Sequence, residues 1–113
     1  MNPTAAAIGT LKTLGHLAVD QHQATVDFLA EMQSDEGGLT ANTRIPFADL
    51  LSSCTGMITL HDLNAAGEVD VAALRRYAES MQQPNGGFAG FYMDQTADVE
   101  YTFYGLATLA LTH

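Results

Sequence analysis

Cations and cysteine are scarce in this chain: four lysines and arginines stand against 13 acidic residues, and cysteine occurs once in 113 positions. A formal charge of −9 repels phosphate backbones and leaves no basic stripe to follow one, which argues against nucleic-acid binding. The lone Cys54 excludes an intrachain disulfide framework and suits an intracellular, cytoplasmic setting. Long apolar runs are also missing. Hydrophobic residues make up 47% of the sequence, yet none of their runs approaches the roughly 18 residues that a bilayer-spanning helix needs. The opening residues, MNPTAAAIGTLKTLGHLAVD, lack the basic region and cleavage site of a secretory leader. The length is that of a single domain.

What the chain does have is helical periodicity. Asn2 and Pro3 read as an N-cap and first helical residue, followed by Ile8, Leu11, Leu14 and Leu17 or Ala18 on one face. Asp20 can cap a second helix, with Ala24, Phe28, Leu29 and Met32 as its apolar stripe, which breaks at Gly37 and Gly38. A third opens near Pro46 and runs through Leu50, Cys54, Met57 and Leu60 to Leu63, with Gly67 in the turn that follows. Asp70 precedes a fourth helix carrying Val71, Leu74, Tyr77, Ala78 and Met81, which Pro84 and the Gly86-Gly87 pair stop. The fifth starts close to Asp98, with Tyr101, Tyr104, Leu106 and Leu109 in its pattern.

Two segments align without a gap at an offset of 49 residues: FLAEMQSDEGGL from Phe28 and YAESMQQPNGGF from Tyr77. Downstream, Asp49 falls on Asp98, Gly56 on Gly105 and Leu60 on Leu109, while upstream Leu11 falls on Leu60. The organisation expected is therefore all-α, a single domain over 1–113 built of helical-hairpin repeats. Its units run approximately from 20 to 66 and from 67 to 113, after a half unit over 1–19. Units of this kind bury their apolar faces against neighbours, so open ends call for further repeats or an oligomer partner.

The glycine pairs stand where the chain must reverse after a helix, and no Lys or GxGxxG pattern accompanies them, so they read as structural. The Gln33 and Gln82 amides suit a bridge from one helix end to the next turn. Gly56 and Gly105 lie inside helices, where glycine costs about 1 kcal/mol relative to alanine. Either two helices approach closely there, or the missing side chains widen a cavity. Asp49 and Asp98 suit helix caps. Glu100 adds a second carboxylate two residues after Asp98, and the pair could hold a divalent cation or a developing positive charge beside Tyr101 and Tyr104. Phe88, Phe91, Tyr92, Phe103 and Tyr104 gather around the second turn and the fifth helix; core packing explains most of them, and an apolar pocket between inner helices explains the cluster nearly as well. The histidines form no metal-binding pattern, and Cys54 suits a buried thiol.

The segments QSDEGGL, QQPNGGFAG and DVEYTFYGLATLAL resemble the prenyltransferase and squalene-oxidase repeat of protein prenyltransferase beta subunits and triterpene cyclases. The resemblance covers about Thr25 to the C-terminus, with a weaker trace in the first helix. It implies part of an α-α toroid in which the first, third and fifth helices are inner and the others outer, around an apolar cavity. It also implies an isoprenoid or other apolar ligand. In protein prenyltransferases an Asp-x-Cys at the start of an inner helix binds zinc together with a distant His. Here Asp98 stands at the Asp position and Glu100 at the Cys position.

By that likeness Asp98 and Glu100 are the candidate catalytic and metal-binding residues, for zinc or magnesium, and Tyr101, Tyr104, Phe103 and Phe88 would contact substrate. The DxDD acid run of the cyclases is absent, and Lys12, Arg44, Arg75 and Arg76 are too scattered to form a diphosphate clamp. Two readings follow: an isoprenoid-handling enzyme fragment, prenyltransferase-like or terpene-cyclase-like, and a non-catalytic repeat module for protein interaction or self-assembly.

Overall fold

The computed structural model describes every residue except Ala18, together with all side chains but those of Val19, Asp20 and Gln21. The Ala18 position and the expected Asp20 cap therefore lie outside the described residues. Among the described residues run α1 (Asn2–Thr13), α2 (Val19–Glu31), α3 (Leu50–Asp62), α4 (Val71–Ser80) and α5 (Val99–Leu111). A 3-10 turn over Ala66–Glu68 follows α3, and isolated bridge pairs take the place of strands.

Three aspartates start three of the helices. Asp49 accepts from the Ser52 amide at 2.7 Å, Asp70 from the Ala73 amide at 2.9 Å, and Asp98 from the Glu100 and Tyr101 amides at 2.7 and 3.2 Å. Each satisfies N–H groups that the first helical turn leaves without a partner. Two boundaries differ from the sequence expectation. The cap of α1 is Met1, whose ammonium donates to the Ala41 carbonyl at 2.7 Å, and Asn2 is already helical. The third helix does not open at Pro46. The Glu36 carboxylate accepts from the Ala48 amide at 2.8 Å and Thr40 pairs with Ala48, which keeps the chain non-helical up to Asp49.

The helices form two layers. α3 packs between α1 and α5, while α2 covers α3 and α4 covers α5. One apolar cluster joins Ile8 of α1, Leu29 and Met32 near the end of α2, Met57 and Leu60 of α3, and Leu74 of α4. A second gathers Leu50, Tyr77, Met81 and Phe88. In α2 the expected Ala24 is exposed, and Val26 takes its place in the core. Leu14, expected on the buried face of α1, is exposed at the helix end.

The 49-residue period recurs in the bonds of its turns. Gly37 and Gly86 adopt φ of +100° and +93°, the left-handed conformation that lets the chain reverse after a helix. Only the first glycine of each pair does so. The Gln33 amide donates to the Gly37 carbonyl at 2.8 Å, and Gln82 donates to Gly86 at 3.3 Å. The amide of the residue after each glycine pair is held by a hydroxyl of the following inner helix. Leu39 donates to Ser53 at 2.9 Å, and Phe88 donates to Thr102 at 3.1 Å. At the helix starts, Leu50 N–H donates to the Gly90 carbonyl at 2.8 Å, the bond that Met1 makes to Ala41 one period earlier.

The two glycines inside helices make room for neighbouring side chains, and Gly56 also lies against Met1 at the head of α1, where α1 packs on α3. A Cβ on Gly105 would run into the Phe88 ring, and one on Gly56 would stand 2.5 Å from a Leu39 methyl. Each glycine receives the side chain that follows a glycine-pair turn. The gap is filled, so no cavity opens there.

Candidate functional site

α3 is covered on all sides but one. The residues that keep some exposure, Leu51, Thr55, Ile58, His61 and Asp62, recur at helical spacing and form a single stripe. Their counterparts Glu100, Tyr104, Ala107 and Leu111 on α5, and Asn2, Ala6, Gly9 and Thr13 on α1, are likewise exposed or half-buried. The three inner helices thus share one face. Polar bonds tie it across: Thr55 donates to the Asn2 side chain at 3.3 Å, Lys12 pairs with Asp62 at 3.2 Å, and the His61 ring meets the Leu111 carbonyl at 3.0 Å.

At the N-terminal ends of α1 and α3 this face runs into a cavity of about 700 Å³. Pro3, Ile45, Phe47, Leu51, Phe91 and Tyr101 give it an apolar lining, and Asn42 and Asp49 supply polar groups. Asp49 is held by the Ser52 hydroxyl at 2.8 Å as well as by its amide. The Tyr101 ring lies over Gly90, where a Cβ would strike it. Leu51 belongs both to the α3 stripe and to the cavity, so the two surfaces are continuous.

A family model described as the prenyltransferase alpha-alpha toroid domain matches residues 3–113. The chain belongs to this family. No individual curated protein matches it. Within this prenyltransferase-toroid chain, α1, α3 and α5 form the inner row and α2 and α4 the outer one.

The site residues expected from the toroid family divide into four groups. Glu100 and Tyr104 meet: the phenol donates to the carboxylate at 3.1 Å, one turn along the exposed face of α5. Partial burial, followed by this bond to the Glu100 carboxylate, pushes the Tyr104 phenol above its usual range. Phe103 is exposed and meets the Tyr104 ring edge-on, with centroids 5.5 Å apart. Asp98 faces a separate hollow of about 440 Å³ beside Asn85, Gly87 and Ala97, and its carboxylate caps α5. Phe88 is fully buried beneath Gly105, so the toroid core holds the ring expected to touch substrate. Tyr101 alone of these residues lines the larger cavity.

The donor set bears directly on a divalent cation. Among the described residues no group of three or more His, Cys, Asp or Glu is placed to hold one. The Asp98 Oδ1 accepts from backbone amides and the Glu100 Oε1 from the Tyr104 hydroxyl. Cys54, at the heart of the inner row, is buried, and its burial pushes the thiol up, away from the reactive thiolate.

Of the cavity's lining, Phe91 stood among the aromatics that sequence reading placed in a core or a pocket, whereas Ile45 and Phe47 were missed: they lie in a loop, where no periodicity marks them, and reach the site only because the turn folds over the inner helix ends. Ser53 and Thr102 were legible in principle. They stand 49 residues apart, each a hydroxyl residue four positions after an aspartate cap.

Proposed function

We propose that this toroid chain forms part of an isoprenoid-handling enzyme, prenyltransferase-like or terpene-cyclase-like, with the shared face of the inner helices and its 700 Å³ cavity as the ligand surface. The observation that carries this reading is the continuity of the Leu51–Ile58 stripe with a cavity lined by Phe47, Phe91 and Tyr101. Such a surface suits a hydrocarbon chain, whose burial there yields about 25 cal/mol for each Å² removed from water. Glu100 and the phenol of Tyr104 form a polar spot on the same face. A carboxylate beside aromatic rings favours positive charge developing on an allylic carbon. Asp98 fixes the start of the helix that presents them, and Phe88 supports it from beneath. No step of this reading runs through a metal ion.

Titration with a fluorescent farnesyl alcohol and with a farnesyl ammonium analogue tests it. Saturable binding of both is expected. Ile58→Asp should weaken both, whereas Glu100→Gln should weaken the ammonium analogue alone. Absence of saturable binding to either would end the reading.

A second reading, a non-catalytic repeat module that interacts with protein, is favoured by one observation: α5 exposes Val99, Phe103 and Leu106 along one side.

A further inference from the structure

The turn of the first full unit and the loop of the second meet around a hollow of about 490 Å³. Ser34, Asp35 and Glu36 of the glycine-pair turn line it, together with Pro46 and Phe47 from the segment leading into α3 and Tyr92 from the loop before α5. Of these residues only Phe47 also lines the larger cavity. Both walls belong to turns that this chain carries complete.

The hollow combines aromatic rings with carboxylates. The Phe47 and Tyr92 rings stand at 63° to each other with centroids 4.9 Å apart, so they form two walls of a corner. They pack on each other, yet they remain 40% and 43% exposed. Glu36 is fixed beside them, because its carboxylate accepts from the Ala48 amide at 2.8 Å, and Asp35 next to it is exposed. The ion pairs among the described residues engage Asp62 and Glu79, so neither Asp35 nor Glu36 is neutralised by a lysine or arginine. No cationic side chain lines the hollow.

The repeat does not call for this combination. One period on, the equivalent turn holds Gln83, Pro84 and Asn85, and Gln95 and Thr96 stand where Pro46 and Phe47 do. One period before Tyr92 stands Thr43. The second turn makes the same reversal at Gly86 and keeps the glutamine bond, with neither the charges nor the rings.

We infer that this hollow binds a small quaternary ammonium ion. Aromatic rings attract such an ion through their quadrupole, and two carboxylates add full charge. Its methyl groups pack against Pro46 and the rings, and it has no N–H that would go without an acceptor in so apolar a corner. A bare divalent cation lacks donors here, since no group of three ligating side chains is assembled among the described residues. A phosphocholine group would bring its phosphate against Asp35 and Glu36, so the ligand is a free cation, and the net charge of −9 draws it toward the protein. The inference is independent of isoprenoid binding in the larger cavity.

Nuclear magnetic resonance titration of the full chain with choline, at constant ionic strength, tests it. Saturable shifts centred on residues 34–36, 47 and 92 are expected. The neutral carbon analogue 3,3-dimethylbutan-1-ol and phosphocholine should each bind at least about fivefold more weakly. Tyr92→Leu should weaken choline by about fivefold while Tyr92→Phe, which keeps the ring, leaves it unchanged. Asp35→Asn should weaken choline and leave the neutral analogue as it was. Both residues are exposed, and unchanged spectra away from the hollow check that each variant folds. Glu100→Gln should not alter choline binding, which separates this site from the proposed isoprenoid surface. Absence of saturable shifts overturns the inference, as do shifts centred on Glu100 and Tyr104. Equal binding of the neutral analogue would show a greasy hollow without cation selectivity and would overturn it too, and so would tighter binding of phosphocholine.

Discussion

The Phe88 ring occupies the space that a side chain on Gly105 would need, as a Leu39 methyl does at Gly56 one period earlier. Gly105→Ala should therefore destabilise the protein by about 1–3 kcal/mol through overpacking, although alanine is the better helix former. Combining it with Phe88→Leu, the residue type used in the first unit, should recover part of the loss. Urea denaturation of the two single variants and the double variant checks this. A gain in stability from Gly105→Ala would show that the contact is slack.

Asp98 has a capping role that chemistry must be separated from. Asp98→Ala should cost about 0.5–2 kcal/mol, and Asp98→Asn, which keeps a cap, should restore most of it. Should the asparagine variant match the parent in thermal melts yet lose turnover of an isoprenoid substrate, the carboxylate does more than start α5.

Gln33 and Gln82 occupy the same place in the period but hold unequal loads. The Gln33 amide donates to the Gly37 and Asp70 carbonyls and accepts from the Asp70 amide at 2.8 Å, tying α2 to the start of α4. Gln82 donates once, at 3.3 Å. Gln33→Ala should lower the unfolding free energy by about 1–3 kcal/mol and Gln82→Ala by less than about 1. Equal losses in denaturant titrations would contradict the geometry.

Tyr77 carries a hydroxyl that is buried without a hydrogen-bond partner, and burial, with Glu36 and Asp49 adding to it, pushes its phenol well above the usual range. Cys54 is shifted the same way by burial. A raised acid in the folded state favours the protonated form. These groups therefore contribute stability that is intact below their unfolded values, about 8.5 for the thiol and about 10 for the phenol, and is lost as pH rises from there through the folded values. Thermal midpoints should fall above about pH 8.5, and Tyr77→Phe should flatten the alkaline end of that fall. The same variant should match or exceed the parent at neutral pH, since it removes an unpaired buried group.

Much of the fold was legible because it repeats. The two glycine pairs, the aspartate caps and the glutamines could be read at one offset, and each recurs in place, although Gln33 ties α2 to Asp70 by bonds that Gln82 does not repeat. The start of α3 was misread because the residues that keep 46–48 out of the helix, Glu36 and Thr40, lie several positions away, beyond the reach of local propensity. Phe88 looked like a pocket residue for a related reason. An aromatic after a glycine turn carries no mark of which side it faces until the glycine that receives it, 17 positions on, is in place. The cavity itself was the least readable part, being assembled from loop residues that share no pattern.

The recurrence of junction bonds at a constant spacing has a consequence for how such a chain can change length. Excising the stretch from Leu39 to Gly87 would join Gly38 to Phe88 and bring α5 behind the first glycine turn, with Thr102 placed to hold the new Phe88 amide as Ser53 now holds that of Leu39. Duplicating the same stretch would be as conservative. Size in this architecture moves in steps of one hairpin, and a copying event of that length needs no new contact to be invented at the seam.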